Sequence, residues 1–159
     1  SDTTYKIACH KESNYNERVT DSTTVTVAAP VSDFTFTNST GDMTATIVEG
    51  LSANSSFVDL ALSGTAIGNV SISGIVPFIL SGAKAQFSSD NGVTWNDALS
   101  VDISAISQVK VKVINIPGTT ATGAYNMALT AKDSGVGGVT RKLNVPLKVK
   151  KVSSEWEEF

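Results

Sequence analysis

From Ser22 to Lys150 apolar and polar residues alternate almost without a break, and a two-residue period is what a β-strand with one buried face requires. The alternating runs are residues 23–31 (TTVTVAAPV), 33–38, 42–51, 56–64, 69–80, 84–89, 98–104, 108–116, 124–132 and 140–150, so roughly ten strands are expected. Turn-forming residues separate them: Ser39-Thr40-Gly41-Asp42, Ser63-Gly64, Ser81-Gly82, Asp90-Asn91-Gly92, Pro117-Gly118 and Asp133-Ser134-Gly135. Asn91-Gly92 is the sharpest of these, because both residues tolerate positive φ. It predicts a β-hairpin that brings Phe87 and Trp95 together across the turn. No stretch has sustained helical periodicity.

Short strands at this spacing predict an all-β, antiparallel sandwich. Residues two apart share a face, so Phe34 and Phe36, Leu60 and Leu62, Val76, Phe78 and Leu80, Val109, Val111 and Val113, and Met127 and Leu129 are expected to supply much of the core.

Residues 1–21 break the pattern. They hold local charge and one small apolar cluster, Tyr5, Ile7 and Ala8, and read as an N-terminal extended arm or an added edge strand. The sandwich is then expected over 22–151. An acidic tail follows at 152–159, either solvated or docking Trp156 and Phe159 on a neighbouring subunit.

With 159 residues the chain can close one core without disulfides or metals. Only 17% of residues are charged and the formal net charge is −3, which leaves no basic field for nucleic acid or an anionic bilayer. No apolar run is long enough to span a membrane. Ser and Thr hydroxyls solvate the surface in place of charge, and the β-branched Thr and Val again favour strands.

Catalytic chemistry finds little to work with. His10 is the sole histidine, and beside it Cys9, the sole cysteine, points to the opposite face of an extended segment. Two adjacent ligands fall short of a zinc site. Asp42, Asp90, Asn91, Asp97 and Asp133 lie in turns where calcium ligands could converge, but none forms an EF-hand-type loop, and such residues usually bond their own backbone. Glu49 and Asp59 read as solvated strand-end acids. No catalytic residue, metal ligand or cofactor is therefore assigned. Three N-x-[ST] glycosylation acceptors occur at Asn38, Asn54 and Asn69, each in or beside an expected turn.

Residues 114–149 (INIPGTTATGAYNMALTAKDSGVGGVTRKLNVPLKV) resemble the closing hairpin of bacterial and archaeal immunoglobulin-like surface modules. The matching residues are Gly123, Tyr125, Asp133 and Gly135. Residues 21–41 resemble the start of fimbrial major subunits, in which an alternating strand leaves its own subunit and completes the sheet of the next. That resemblance implies an immunoglobulin-like sandwich and a donor strand from Thr23 to Val31, or the arm before it. Thr23, Val25, Val27 and Val31 are its candidate interface residues, although an ordinary first strand has the same pattern.

The expectation is a structural subunit of an extracellular filament or pilus, polymerising with copies of itself by strand donation. The alternative is a self-contained immunoglobulin-like module of a cell-surface adhesin or of a virion decoration protein, which spaces domains or displays loops to a host or surface ligand.

Overall fold

The computed structural model of the protein describes residues 3–10, 18–25 and 28–152, with side chains from Ala28 onward. The chain divides into two compact units, Ser1–Pro30 and Val31–Phe159. In the first, β1 (Thr3–His10) pairs antiparallel with β2 (Arg18–Val25), in a register that runs from Thr3 opposite Val25 to His10 opposite Arg18. The strand expected over 23–31 is thus represented by β2, which ends at Val25 and has a partner in its own unit.

Among the described residues the second unit holds nine strands: β3 (Asp33–Asn38), β4 (Met43–Ile47), β5 (Val58–Thr65), β6 (Val70–Ile75), β7 (Lys84–Ser88), β8 (Leu99–Val101), β9 (Gln108–Ile114), β10 (Gly123–Asp133) and β11 (Thr140–Lys151). One sheet has the order β4-β11-β10-β6-β8 and the other β3-β5-β9-β7. Every pairing is antiparallel except β4 with β11. This is an immunoglobulin-like β-sandwich.

Alternation generates the core directly. Phe34 and Phe36 from β3, Val58, Leu60 and Leu62 from β5, and Val109, Val111 and Val113 from β9 point inward from one sheet. Met43, Ala45 and Ile47, Val70 and Ile72, Met127, Leu129 and Ala131, and Val145, Leu147 and Val149 meet them from the other. Each fully buried aliphatic side chain of this size contributes roughly 1.5–3 kcal/mol by leaving water. At Gly74 a Cβ would lie 2.8 Å from Cδ2 of Leu129, its cross-strand partner, and 3.0 Å from Ala85 Cβ of the facing sheet, so the place admits no side chain. Tyr125 anchors the entry to β10 by donating its hydroxyl to the Ala121 carbonyl at 2.7 Å, the tyrosine-corner arrangement of this fold.

Three expectations are corrected. The run 69–80 is not one strand: the chain leaves β6 at Ile75 and, beyond Pro77, enters a 3-10 turn over Phe78–Leu80. The two-residue period therefore lapses, so that Leu80 is buried, Val76 only partly, and Phe78 is 95% exposed. Asn91 (φ 60°) and Gly92 (φ 91°) do make the tight turn, but the residue opposite Phe87 is Asn96, which exchanges both backbone hydrogen bonds with it. Trp95 instead lies half-buried, its Nε1 donating to the Gly92 carbonyl and Lys112 Nζ standing 3.9 Å over its ring. Asp59 is no solvated strand end. It sits within β5 and holds Lys110 Nζ at 2.7 Å, with both side chains less than a fifth exposed.

Candidate assembly interface

For a chain with this architecture, self-association by strand addition depends on which strand edges are open. On the four-stranded sheet, β3 is an edge, and Arg141 from β11 closes part of it: its Nε donates to the Phe34 carbonyl at 2.8 Å and its guanidinium reaches Asp33 at 3.4 Å. The edge of β4 is closed at its centre by Ser56, whose amide donates to the Thr44 carbonyl while its Oγ accepts the Thr44 amide. On the other flank β8 has three residues, too few to template a long partner. Asn96 covers β7 at Phe87.

Among the described residues of the sandwich, an open stretch is Lys84 to Gln86 at the start of β7. A shallow recess of about 220 Å³ lies beside it, lined by Gly74, Val76, Ala83, Lys84, Ala85 and Asp97. Lys84 Nζ and Asp97 stand 3.7 Å apart there, and Gln86 Nε2 donates to Asp97 at 3.3 Å. Charge on an edge strand disfavours pairing with another chain. The recess is also smaller than the 300–1,000 Å³ that ligand pockets usually occupy.

Of the candidate donor residues, Thr23 pairs with Tyr5 and Val25 with Thr3 along the β1–β2 ladder. Val27 lies outside the described residues, as do Trp156 and Phe159. Val31 is 73% exposed, two residues before β3 begins. Cys9 stands opposite Val19 and His10 opposite Arg18 in the same ladder.

The turn acids have local structural partners. Asp133 is buried at the end of β10 and collects three backbone amides: Ile67 on Oδ2 at 2.7 Å, and Gly68 and Gly135 on Oδ1 at 2.9 Å each. The Ser32 hydroxyl, first, and the Gly135 amide hold its carboxyl well below the usual carboxylate range. A ring of N–H donors attracts the carboxylate and repels a cation, so this is a latch between loops.

Asp90 closes the 88–95 hairpin in the same manner. Its carboxylate accepts the Ser88 hydroxyl at 2.6 Å and the Thr94 amide and hydroxyl, while Ser88 Oγ accepts the Gly92 amide at 2.8 Å. The Ser88 hydroxyl, followed by Thr94, again lowers the carboxyl's pKa. Asp42 pairs with Lys148 at 2.6 Å. Among the described residues no three His, Cys, Asp or Glu side chains gather as a metal site, and no helix is long and apolar enough to cross a membrane. Asp90 bonds the backbone of its own turn, as expected of such residues, whereas the reach of Asp133 to Ile67 and Gly68 was missed from sequence. The available signal was the spacing of small polar residues, Ser88, Asp90, Gly92 and Thr94, and Asp133 with Gly135.

The three sequons differ in access. Asn38 is half-buried, with its carbonyl oxygen accepting the Thr40 and Gly41 amides and its Nδ2 engaged by the Gly41 carbonyl. Asn54 is exposed and accepts the Asn115 amide at 3.1 Å, and Asn69 is exposed beside β6.

No family model and no curated protein sequence matches the chain. Among solved structures it is similar to the PapD-like domain 7 of human CEP192, at 14% identity and a TM-score of 0.47 over 82% of this chain and 92% of that one. It is similar to AggA, the major subunit of aggregative adherence fimbriae type I of Escherichia coli, at 14% identity and a TM-score of 0.46 over 79% and 100%. A family 123 glycoside hydrolase from Clostridium perfringens matches at 10% identity and a TM-score of 0.45. The match covers 75% of this chain, which spans only 27% of the hydrolase. At these scores the likenesses carry no functional argument.

Proposed function

We propose that the chain is a structural component of an extracellular or cell-surface assembly, in which residues 31–152 act as a self-contained immunoglobulin-like module that spaces neighbouring domains or displays its loops. The observation that carries this reading is closure. The last strand, β11, lies inside its sheet between β4 and β10, and its Val145, Leu147 and Val149 are buried against side chains of the same unit. A strand acceptor of the pilin kind has a missing strand and an open core. The edges of this sandwich are shortened, charged or covered by its own groups, as monomeric β proteins manage them. A hydroxyl-rich, sparsely charged surface suits display.

A second reading, a filament subunit that donates residues 23–31, is favoured by one observation: the N-terminal strands cluster as a unit separate from the sandwich, ahead of an exposed Val31. Light scattering and negative-stain microscopy of the full chain, and of a variant without residues 1–30, separate the two. Filaments that vanish on truncation support donation. Truncated protein that is a folded monomer, with no filaments from either form, supports the self-contained module.

A further inference from the structure

We infer that the β1–β2 hairpin is the closing hairpin of a second sandwich of the same kind, and that the partner it fits is the remainder of that sandwich, preceding it in a tandem array. The two hairpins of this chain share one register. The β1–β2 ladder ends on the pair His10–Arg18 and the β10–β11 ladder on Lys132–Thr140, so the stretches between the last paired residues, 11–17 and 133–139, are of equal length.

Aligning those pairs sets Tyr5, Ile7 and Cys9 on Met127, Leu129 and Ala131, the inward residues of β10. At the same offset Thr23, Val25 and Val27 fall on Val145, Leu147 and Val149, the inward residues of β11. Cross-strand partners agree as well: Tyr5 opposite Thr23 corresponds to Met127 opposite Val145. On the other phase, Lys6, Ala8 and His10 answer to Ala128, Thr130 and Lys132, and Thr20, Ser22 and Thr24 to Lys142, Asn144 and Pro146. The departures are Asp21 in place of Leu143, at the loop end where Leu143 itself is only partly buried, Thr23 in place of the buried Val145, Val19 in place of Arg141, Thr3 in place of Tyr125 and Lys11 in place of Asp133.

The physical need for a partner is plain. An isolated two-stranded hairpin is marginally stable in water, and one with an apolar face requires a sheet to cover it. The sandwich of residues 31–152 cannot be that cover in the β10–β11 manner, because β10 and β11 already fill the place with fully buried side chains. A second copy fails for the same reason. The fitting partner is a set of strands equivalent to β3 through β9 without its own closing hairpin. Since β10 and β11 come last in their sandwich, such strands precede β1, and Ala28–Pro30 becomes the linker between adjacent modules. This pattern is independent of whether residues 31–152 polymerise.

A graft within the full chain tests the equivalence. Residues 127–132 are replaced by the sequence of 5–10 and residues 140–147 by that of 18–25, with the Asp133–Val139 loop kept. A control carries the same graft shifted by one residue, from 4–9 and 17–24, which turns polar residues inward. The in-register graft is expected to keep a cooperative thermal transition at a lowered Tm, and the shifted graft to lose it. Equal behaviour of the two grafts, both folded or both unfolded, overturns the inference. Amide exchange on the unmodified chain gives a second readout: with the partner strands missing, amides of 3–10 and 18–25 should exchange at least about 100-fold faster than those of β10. Protection equal to that of β10 overturns it.

Discussion

Val111 is fully buried in β9, flanked across its sheet by Val58 and Phe87. A carboxylate there has no partner, so Val111→Asp should cost about 4 kcal/mol or more, enough to unfold a marginal domain. A melting temperature within a degree or two of the parent's would show that this face does not point inward. The latch acids make a different prediction. Asp90 and Asp133 have folded-state pKa values below the ordinary value near 4, so the stability they contribute is fully present above that value. It is lost as pH falls toward their lowered values. Thermal melts between pH 7 and pH 3 should therefore be flat above about pH 5 and fall below about pH 4, and Asp133→Asn should make that fall shallower. A Tm at pH 3 equal to that at pH 7 contradicts the latches. Val111 was legible in the sequence, because a two-residue period fixes facing. Asp133 was visible only as a turn residue, because its partners Ile67 and Gly68 come from a loop far away along the chain.

At the scale of elements, the edge of β3 depends on one long-range side chain. Removing it by Arg141→Ala frees the Phe34 carbonyl and an edge flanked by apolar residues, at a stability cost of about 1 kcal/mol. The larger effect expected is association: sedimentation at rising protein concentration should show dimers or larger species that the parent lacks. A variant as monomeric as the parent would mean that other groups guard that edge. Sequence foretold the strands from β3 to β11 well, since each carries its own alternation and turn residues. It failed where alternation continues in letters but not in space. Val76 and Phe78 keep the period of β6, yet Pro77 cannot continue the ladder, and the chain turns away at Ile75. The pairing of Phe87 with Asn96 rather than Trp95 was legible by counting: residues 87 and 96 are equally far from the centre of a two-residue Asn91-Gly92 turn, whereas 87 and 95 are not.

At the scale of the whole molecule, the chain combines a sandwich that supplies its own core with a separate N-terminal hairpin. The alternating residues 23–31 resembled a first or donated strand, and nothing in their period alone distinguishes a strand of one unit from a strand of another. Partnership decides that, and partnership is a property of register: Thr23 and Val25 are committed to Tyr5 and Thr3. Residues 31–152 are thus expected to need no strand from outside. The measurement that tests it most directly is the thermal unfolding and light-scattering mass of the chain lacking residues 1–30, beside the full chain. The truncated chain is expected to be a monomer with one cooperative transition at a Tm within a few degrees of that of the sandwich in the full chain. A truncated chain that is unfolded, or that regains a transition only when a peptide of residues 18–31 is added, would contradict it.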